Sequence, residues 1–106
     1  MPENLEELTH NEIIKCLILL NPNKSFDGYK LKQKLDALST EYSRLKNLEN
    51  SVENVLFFDF PFLAGDMTSS RYRWSQEGKD IFQSRFDSYS LSLKKELENL
   101  AKKVWN

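Results

Sequence analysis

The sequence predicts a single mainly α-helical domain with a small β-hairpin. Apolar residues recur at helical spacing before residue 50 and again after residue 75. A stretch rich in Val, Leu and Phe over 52–62 loses that spacing, as a strand would. A chain of 106 residues suffices for one modest core. The predicted order is three helices, a hairpin and a long last helix.

The first predicted helix begins with a capping box, in which Thr9 is the N-cap and Glu12 bonds back to it. The helix is apolar on most sides, which is typical of a helix at the centre of a core. Its apolar residues are Ile13, Ile14, Cys16, Leu17, Ile18 and Leu20. Cys16 is the only cysteine, so we expect a small buried side chain in a reducing compartment.

Two further helices are predicted over 27–38 and 40–50, with a short connection that has the proportion of a helix-turn-helix. Their candidate N-caps are Ser25 or Asp27 for the first and Ser39 or Thr40 for the second. Their inner faces are expected to comprise Tyr29 or Leu31, Leu35, Leu38, Tyr42, Leu45 and Leu48.

A β-hairpin is predicted after the third helix. Its first strand lies within 52–62 and ends at or before Pro61, because proline cannot donate to a sheet ladder. In its second strand, period-two alternation places the side chains of Arg71 and Arg73 on one face and those of Tyr72 and Trp74 on the other.

A last helix is predicted over 76–104, with Ser75 as its N-cap. It carries a stripe of large apolar residues that exceeds the needs of so small a domain, which favours a homodimer. The predicted dimer interface is Phe86, Tyr89, Leu93, Leu97, Leu100, Val104 and Trp105. The alternative is that the stripe, which also includes Phe82, folds back over the first helix and the hairpin of the same molecule. On the homodimer hypothesis, residues 1–78 form the winged-helix domain and residues 79–106 are a C-terminal helix that serves as the dimerisation element of the same domain.

Three segments in this order resemble PadR-like transcriptional regulators, which have a winged helix-turn-helix fold. They are 28–31 with the sequence Gly-Tyr-Lys-Leu, 40–49 with a Tyr-x-x-Leu-x-x-Leu-Glu pattern, and 71–79. The resemblance covers roughly residues 13 to 82 and implies a regulator that reads duplex DNA as a homodimer, through the third helix and a β-wing. The sequence departs from that family at 62–66, where the wing tip is apolar and acidic instead of basic.

The DNA-contacting residues that follow from this resemblance are polar or basic. Arg can read guanine and Asn adenine by paired hydrogen bonds, while Lys and Arg contact phosphate. The candidates are Ser39, Thr40, Ser43, Arg44, Lys46, Asn47, Arg71, Arg73, Lys30, Lys32 and Lys34. The formal net charge of −1 does not itself indicate nucleic-acid binding, although 24–46 is mildly basic.

A second function is a protein-binding module of the same fold that does not bind DNA. It is motivated by the net charge and by an apolar hairpin comprising Phe57, Phe58, Phe60, Phe62 and Leu63. Catalysis, a metal and a cofactor are not expected, because His10 is the only histidine and is expected to be exposed, and a phosphate-binding glycine loop is missing. A cytoplasmic location without membrane contact is expected, since the apolar run 13–20 is too short to span a bilayer.

Overall fold

A computed structural model describes residues 2–56 and 71–106, and these residues are mainly helical, as predicted. Short 3-10 helices lie at Leu5–Glu7 and Ser43–Leu45. In chain order the other elements are α1 (His10–Leu19), β1 (Phe26–Asp27), α2 (Gly28–Leu38), α3 (Glu49–Asn54), β2 (Arg71–Tyr72), α4 (Gln76–Asp87) and α5 (Leu91–Trp105).

Helix α1 is the centre of the core, and its capping box forms as predicted. The amide of Glu12 donates to Thr9 Oγ1 at 3.1 Å, and the amide of Thr9 donates to Glu12 Oε1 at 3.0 Å. The helix packs against α3, α4 and α5. Its apolar side chains are buried on nearly every side, which explains why its sequence lacks the polar face of a surface helix.

Helix α2 begins where the sequence predicts, and Asp27 is its N-cap. The Asp27 carboxylate accepts hydrogen bonds from the amides of Tyr29 and Lys30. Just before it, β1 pairs antiparallel with β2, with Phe26 opposite Tyr72 and Asp27 opposite Arg71. Strand β1 was not predicted, because two residues are too few to show an alternating pattern.

Gly28 allows the start of α2 to approach this strand pair closely. A Cβ atom at residue 28 would lie 3.0 Å from both Leu56 Cδ1 and Tyr72 Cε2. Both of those side chains are buried, so neither has free space to move into. The Gly-Tyr pair at 28–29 is therefore explained by packing at its first residue, while Tyr29 itself is 63% exposed.

The prediction of a third helix over 40–50 is wrong, because the α-helix of this region, α3, covers Glu49–Asn54 instead. The hydroxyls of Ser39 and Thr40 donate back to the carbonyls of Asp36 and Ala37 and so complete the end of α2 instead of capping a new helix. Asn47 then takes a left-handed φ of 59°, which interrupts helical geometry before α3 begins.

The extended segment predicted over 52–62 is wrong in its first part. Residues 52–54 belong to α3, and residues 55–56 continue as a wider helical turn. Val52, Val55 and Leu56 are buried by that helical geometry, so apolar density alone misled the prediction. Residues 57–62, and with them the predicted pairing to the 71–74 strand, lie outside the described residues.

The predicted single helix over 76–104 is two helices, α4 and α5. The Ser88 hydroxyl donates to the carbonyl of Arg85 and ends α4, and the Ser90 hydroxyl accepts from the amide of Leu93 and caps α5. The predicted Ser75 cap of α4 is confirmed, since its hydroxyl accepts from the amide of Gly78 at 3.1 Å. Helix α5 packs on α1 and α2, so the chain folds back on itself, and the predicted boundary between 78 and 79 falls inside α4.

Candidate nucleic-acid interface

Arg44, predicted to reach a DNA groove, instead holds the N-terminal segment against the body of the protein. Its guanidinium donates to the carbonyl of Leu8, and its Nη1 lies 3.5 Å from Nε2 of His10. Its Nε lies 3.9 Å from a carboxylate oxygen of Glu6, and the side chain is 24% exposed. The structure thus gives Arg44 contacts within the chain, and it corrects the predicted exposure of His10, which is half-buried.

Several other predicted DNA contacts are occupied within the chain. The Lys32 ammonium lies 2.6 Å from Glu53 Oε1, and the Lys34 ammonium donates to the backbone oxygen of Asn106 at 2.9 Å. Ser43 lies in a 3-10 helix, and Lys46 is exposed beside it. These residues and Asn47 do not form the single exposed helix face that reading a major groove requires.

A different set of cations surrounds the 21–25 loop, which connects α1 to β1. The loop is held in shape by its own amide groups, since Asn21 Oδ1 accepts from the Asn23 amide and Asn21 Nδ2 donates to the Ser25 carbonyl. A hollow lies on each side of it, and both hollows are lined by Lys24 and Phe26. We call the cations that line them the basic loop surface: Lys24, Lys30, Lys34, Arg73 and Lys79.

The two sides of the basic loop surface differ in their charge. On the α2 side, a hollow of about 370 Å³ is lined by Lys24, Lys30 and Lys34, with Asp27 as the one acid among the described lining residues. That carboxylate accepts the two amide bonds at the start of α2, which partly compensate its charge. On the α4 side, a hollow of about 290 Å³ is lined by Lys24, Arg73 and Lys79, and none of the described residues lining it is acidic.

Three of the eleven predicted DNA contacts therefore lie on one surface: Lys30, Lys34 and Arg73. The side chain of Arg71 lies outside the described residues. Lys24 and Lys79 were missed, because they are far from the predicted third helix in the sequence and come together through the pairing of β1 with β2. The sequence does place both lysines next to a change of chain direction. Lys24 follows Pro22, and Lys79 lies in the first turn of the helix that Ser75 caps.

The predicted dimer interface is corrected by the burial of its residues within one chain. The six stripe side chains from Phe86 to Val104 are at most 6% exposed, and they belong to the same core as α1. Trp105 also packs within the chain, where its indole nitrogen donates to the Leu17 carbonyl at 2.7 Å and its ring lies 5.7 Å from that of Phe26. The described fold matches the part of the alternative in which the stripe folds back over the first helix, while residues 57–62 of the predicted hairpin lie outside the described residues.

Cys16 is buried as predicted, and we expect it to be chemically inert. Burial raises the pKa of its thiol from 9.0 to about 12, so the folded protein holds about a thousandfold less thiolate near neutral pH. A thiol reagent such as dithiobis(nitrobenzoate) should react with the urea-unfolded chain and only very slowly with the folded one. Because the folded pKa is the higher, the free energy of unfolding should also decrease as the pH rises from 9.0 towards 12. Equally fast reaction in both states would contradict this burial.

The fold and its surface thus define a mainly helical protein with a basic loop between its first helix and a short strand pair. No protein-family model matches the sequence, and neither a curated protein nor a solved structure matches it. Within the described ranges, no group of His, Cys, Asp and Glu side chains could hold a metal ion. None of the helices in the described part of the chain is long and apolar enough to cross a bilayer.

Proposed function

We propose that this chain is a winged-helix regulator that binds duplex DNA through the phosphate backbone, with the basic loop surface as its main contact. The order α1, β1, α2, α3, β2 and the antiparallel pairing of β1 with β2 are compatible with the fold that the PadR-like segments imply. The observation that carries the proposal is the convergence of five cations around one loop, with Asp27 as the one acid among the described residues that line its two hollows. One of the five, Lys34, also donates to the backbone oxygen of Asn106.

The physical basis is the release of counterions from DNA. A protein that neutralises phosphates with Lys and Arg displaces condensed cations, and this supplies most of the affinity for any duplex sequence. Lys24 belongs to the 21–25 loop, Arg73 follows β2, and Lys79 belongs to α4. The three cations therefore come from three different parts of the fold. Such contacts orient the protein on DNA but carry no base information.

Base reading through a recognition helix has less support in this structure. Residues 40–48 do not form an α-helix, and α3, with the sequence Glu-Asn-Ser-Val-Glu-Asn, carries no Arg or Lys. Bidentate reading of guanine requires such a cation. We therefore expect binding that depends strongly on salt and only weakly on sequence. A homodimer stays a prediction, to be measured by sedimentation equilibrium, and its interface would lie outside the buried stripe.

A salt titration with random-sequence duplex tests this function. With three to five phosphate contacts, the slope of log affinity against log salt should be about −2.7 to −4.5. Replacing Lys24, Arg73 and Lys79 by glutamine should make that slope less steep by about 2.7. The matched control replaces three exposed lysines outside both the basic loop surface and the predicted DNA contacts, Lys95, Lys102 and Lys103, by glutamine and removes the same charge.

The control should keep a slope close to that of the unmodified protein. Equal losses in the two triple variants would show that only net charge matters and would refute this location of the interface. Absence of binding to duplex at low salt would refute DNA binding itself.

The second candidate function, a protein-binding module, is favoured by one specific observation. If α3 occupies the position of a recognition helix, the side chains it exposes are Asn50, Asn54 and Glu53, of which Glu53 is acidic and paired with Lys32. A helix surface without an unpaired cation does not attract phosphate. The apolar hairpin residues that also motivated this function lie outside the described residues. Absence of duplex binding even at low salt would favour it.

A further inference from the structure

The 21–25 loop has the form of a narrow ridge between its two hollows. Pro22, Asn23 and Lys24 at its tip are exposed, whereas Asn21 and Ser25 at its ends are half-buried. Asn23 and Lys24 line both the hollow on the α2 side and the hollow on the α4 side. The loop therefore presents these two side chains to any partner that contacts both hollows at once.

The shape of this loop is set within the chain, and its tip is left free. Oδ1 of Asn21 accepts from the Asn23 amide at 3.0 Å, and Nδ2 of Asn21 donates to the Ser25 carbonyl at 3.4 Å. The ring of Pro22 fixes its own φ between these two bonds. The side chains of Asn23 and Lys24, in contrast, form no hydrogen bond or ion pair within the described ranges. A partner can therefore bind both side chains without first breaking a contact within the protein.

Cations lie on both sides of the loop tip. Lys30 and Lys34 line the hollow on the α2 side, and Arg73 and Lys79 line the hollow on the α4 side. Each groove of duplex DNA has the complementary arrangement, with base edges at its floor and a negatively charged strand along each side. The positions of these four cations thus match a loop that lies in a groove and contacts both strands.

The width of the loop favours the minor groove. An α-helix with its side chains is about 10–12 Å across and requires the major groove, which is about 12 Å wide. The minor groove is only about 6 Å wide, and a single chain segment fits it better than a helix does. Proteins that bind there commonly place Lys and Asn side chains against the base edges.

We infer that the 21–25 loop enters the minor groove of duplex DNA, with one strand beside Lys30 and Lys34 and the other strand beside Arg73 and Lys79. Asn23 and Lys24 then face the base edges. This inference rests on the proposed function, and it adds to phosphate binding the groove that is occupied and a preference among base pairs.

The preference follows from the chemistry of Lys24. Its ammonium group can only donate hydrogen bonds. In the minor groove an A·T pair presents only acceptors, whereas a G·C pair adds the amino group of guanine, which is a donor. A·T-rich segments also have a narrower minor groove with a more negative potential, which attracts Lys and Arg. We therefore expect a duplex with an A·T-rich centre to bind about tenfold more tightly than one with a G·C-rich centre, which corresponds to about 1.4 kcal/mol.

A fluorescence-anisotropy titration with three duplexes of equal length tests the groove. Their central segments consist of A·T pairs, of G·C pairs, or of G·C pairs in which inosine replaces guanine. Inosine lacks the minor-groove amino group and leaves the major-groove edge of the pair unchanged. The inosine duplex should therefore bind about as tightly as the A·T duplex. If it bound like the G·C duplex, reading of the minor groove would be excluded and the inference overturned.

Two lysine variants of equal charge test the position of the loop tip. Lys24→Gln should reduce the preference for A·T over G·C from about tenfold to about twofold or less, since the donor at the tip is lost. Lys79→Gln removes the same charge from one side of the loop, so it should weaken binding to both duplexes equally and keep the tenfold preference. The same preference in both variants would overturn the inference.

An uncharged substitution separates base contacts from phosphate contacts. Asn23→Ala should weaken binding to the A·T duplex about fivefold, the loss of one hydrogen bond of about 1 kcal/mol. Because Asn23 has no charge, the slope of log affinity against log salt should stay unchanged. Unchanged affinity of Asn23→Ala for the A·T duplex would contradict insertion of the loop tip.

These titrations also distinguish the inference from the proposed function. Salt-dependent binding that is equal for all three duplexes would overturn insertion into the minor groove and leave phosphate binding by the basic loop surface standing. Absence of binding to every duplex at low salt would refute the proposed function and this inference together.

Discussion

Replacing Leu97 by alanine is expected to lower the free energy of unfolding by about 2–5 kcal/mol. Leu97 is 0% exposed and belongs to the core, and its helix α5 packs on both α1 and α2, so the substitution leaves a cavity in that core. The loss is large because total stabilities of small domains are only about 5–15 kcal/mol. Urea unfolding followed by far-ultraviolet circular dichroism measures it as a lower midpoint.

The matched control for this prediction is Leu91→Ala on the same helix. Leu91 is 68% exposed, so its truncation should change the free energy of unfolding by no more than about 0.5 kcal/mol. Sedimentation of both variants completes the test. If Leu97→Ala kept the urea midpoint and instead dissociated a dimer, the stripe would face a partner chain and the described packing would be wrong.

The helix starts were predictable from the sequence because capping is local. Thr9, Asp27 and Ser75 each bond to an amide two or three residues away, and that short-range chemistry can be identified without knowing the fold. The burial of α1 was predictable for a similar reason, since a helix that is apolar on most sides has to lie inside. These features fixed the mainly helical class.

The errors arose where the same residue type serves two opposite purposes. Ser39 and Thr40 can cap a following helix or complete a preceding one, and the structure uses both for the end of α2. Ser88 and Ser90 break the last helix, but the apolar spacing runs through the break in phase, with Phe86, Tyr89 and Leu93 all buried. Periodicity therefore concealed the turn, although Ser90 three residues before Leu93 was a cap signal.

The candidate site was only partly predictable, because its geometry is set by tertiary contacts. Lys30, Lys34 and Arg73 were chosen from charge and family resemblance, and they do line the basic loop surface. Lys24 and Lys79 join them only because a two-residue strand pair aligns distant parts of the chain. Side-chain type was evident from the sequence; which cations share a face was not.

Arg44 and Arg73 were both predicted to contact DNA, and the structure gives them different roles. We expect substitution of Arg44 to lower stability and substitution of Arg73 to weaken DNA binding. Replacing Arg44 by methionine keeps an apolar stem but removes the guanidinium that donates to the Leu8 carbonyl. We expect the free energy of unfolding to decrease by about 1.5–3 kcal/mol, the value typical of a hydrogen bond to a charged group. The N-terminal 3-10 helix at Leu5–Glu7 should lose amide protection first in hydrogen exchange, because Arg44 is a contact that links it to the body.

Arg73→Met removes the same charge from an exposed side chain and should show the opposite pattern. Its urea midpoint should match that of the unmodified protein, while the salt slope of duplex binding should become less steep by about 0.9, the loss of one phosphate contact. Arg44→Met should leave that slope unchanged once the protein is folded. Two variants that lost binding equally at unchanged stability would restore Arg44 to the DNA interface, because a side chain that only holds the N-terminal segment cannot alter the number of phosphates bound.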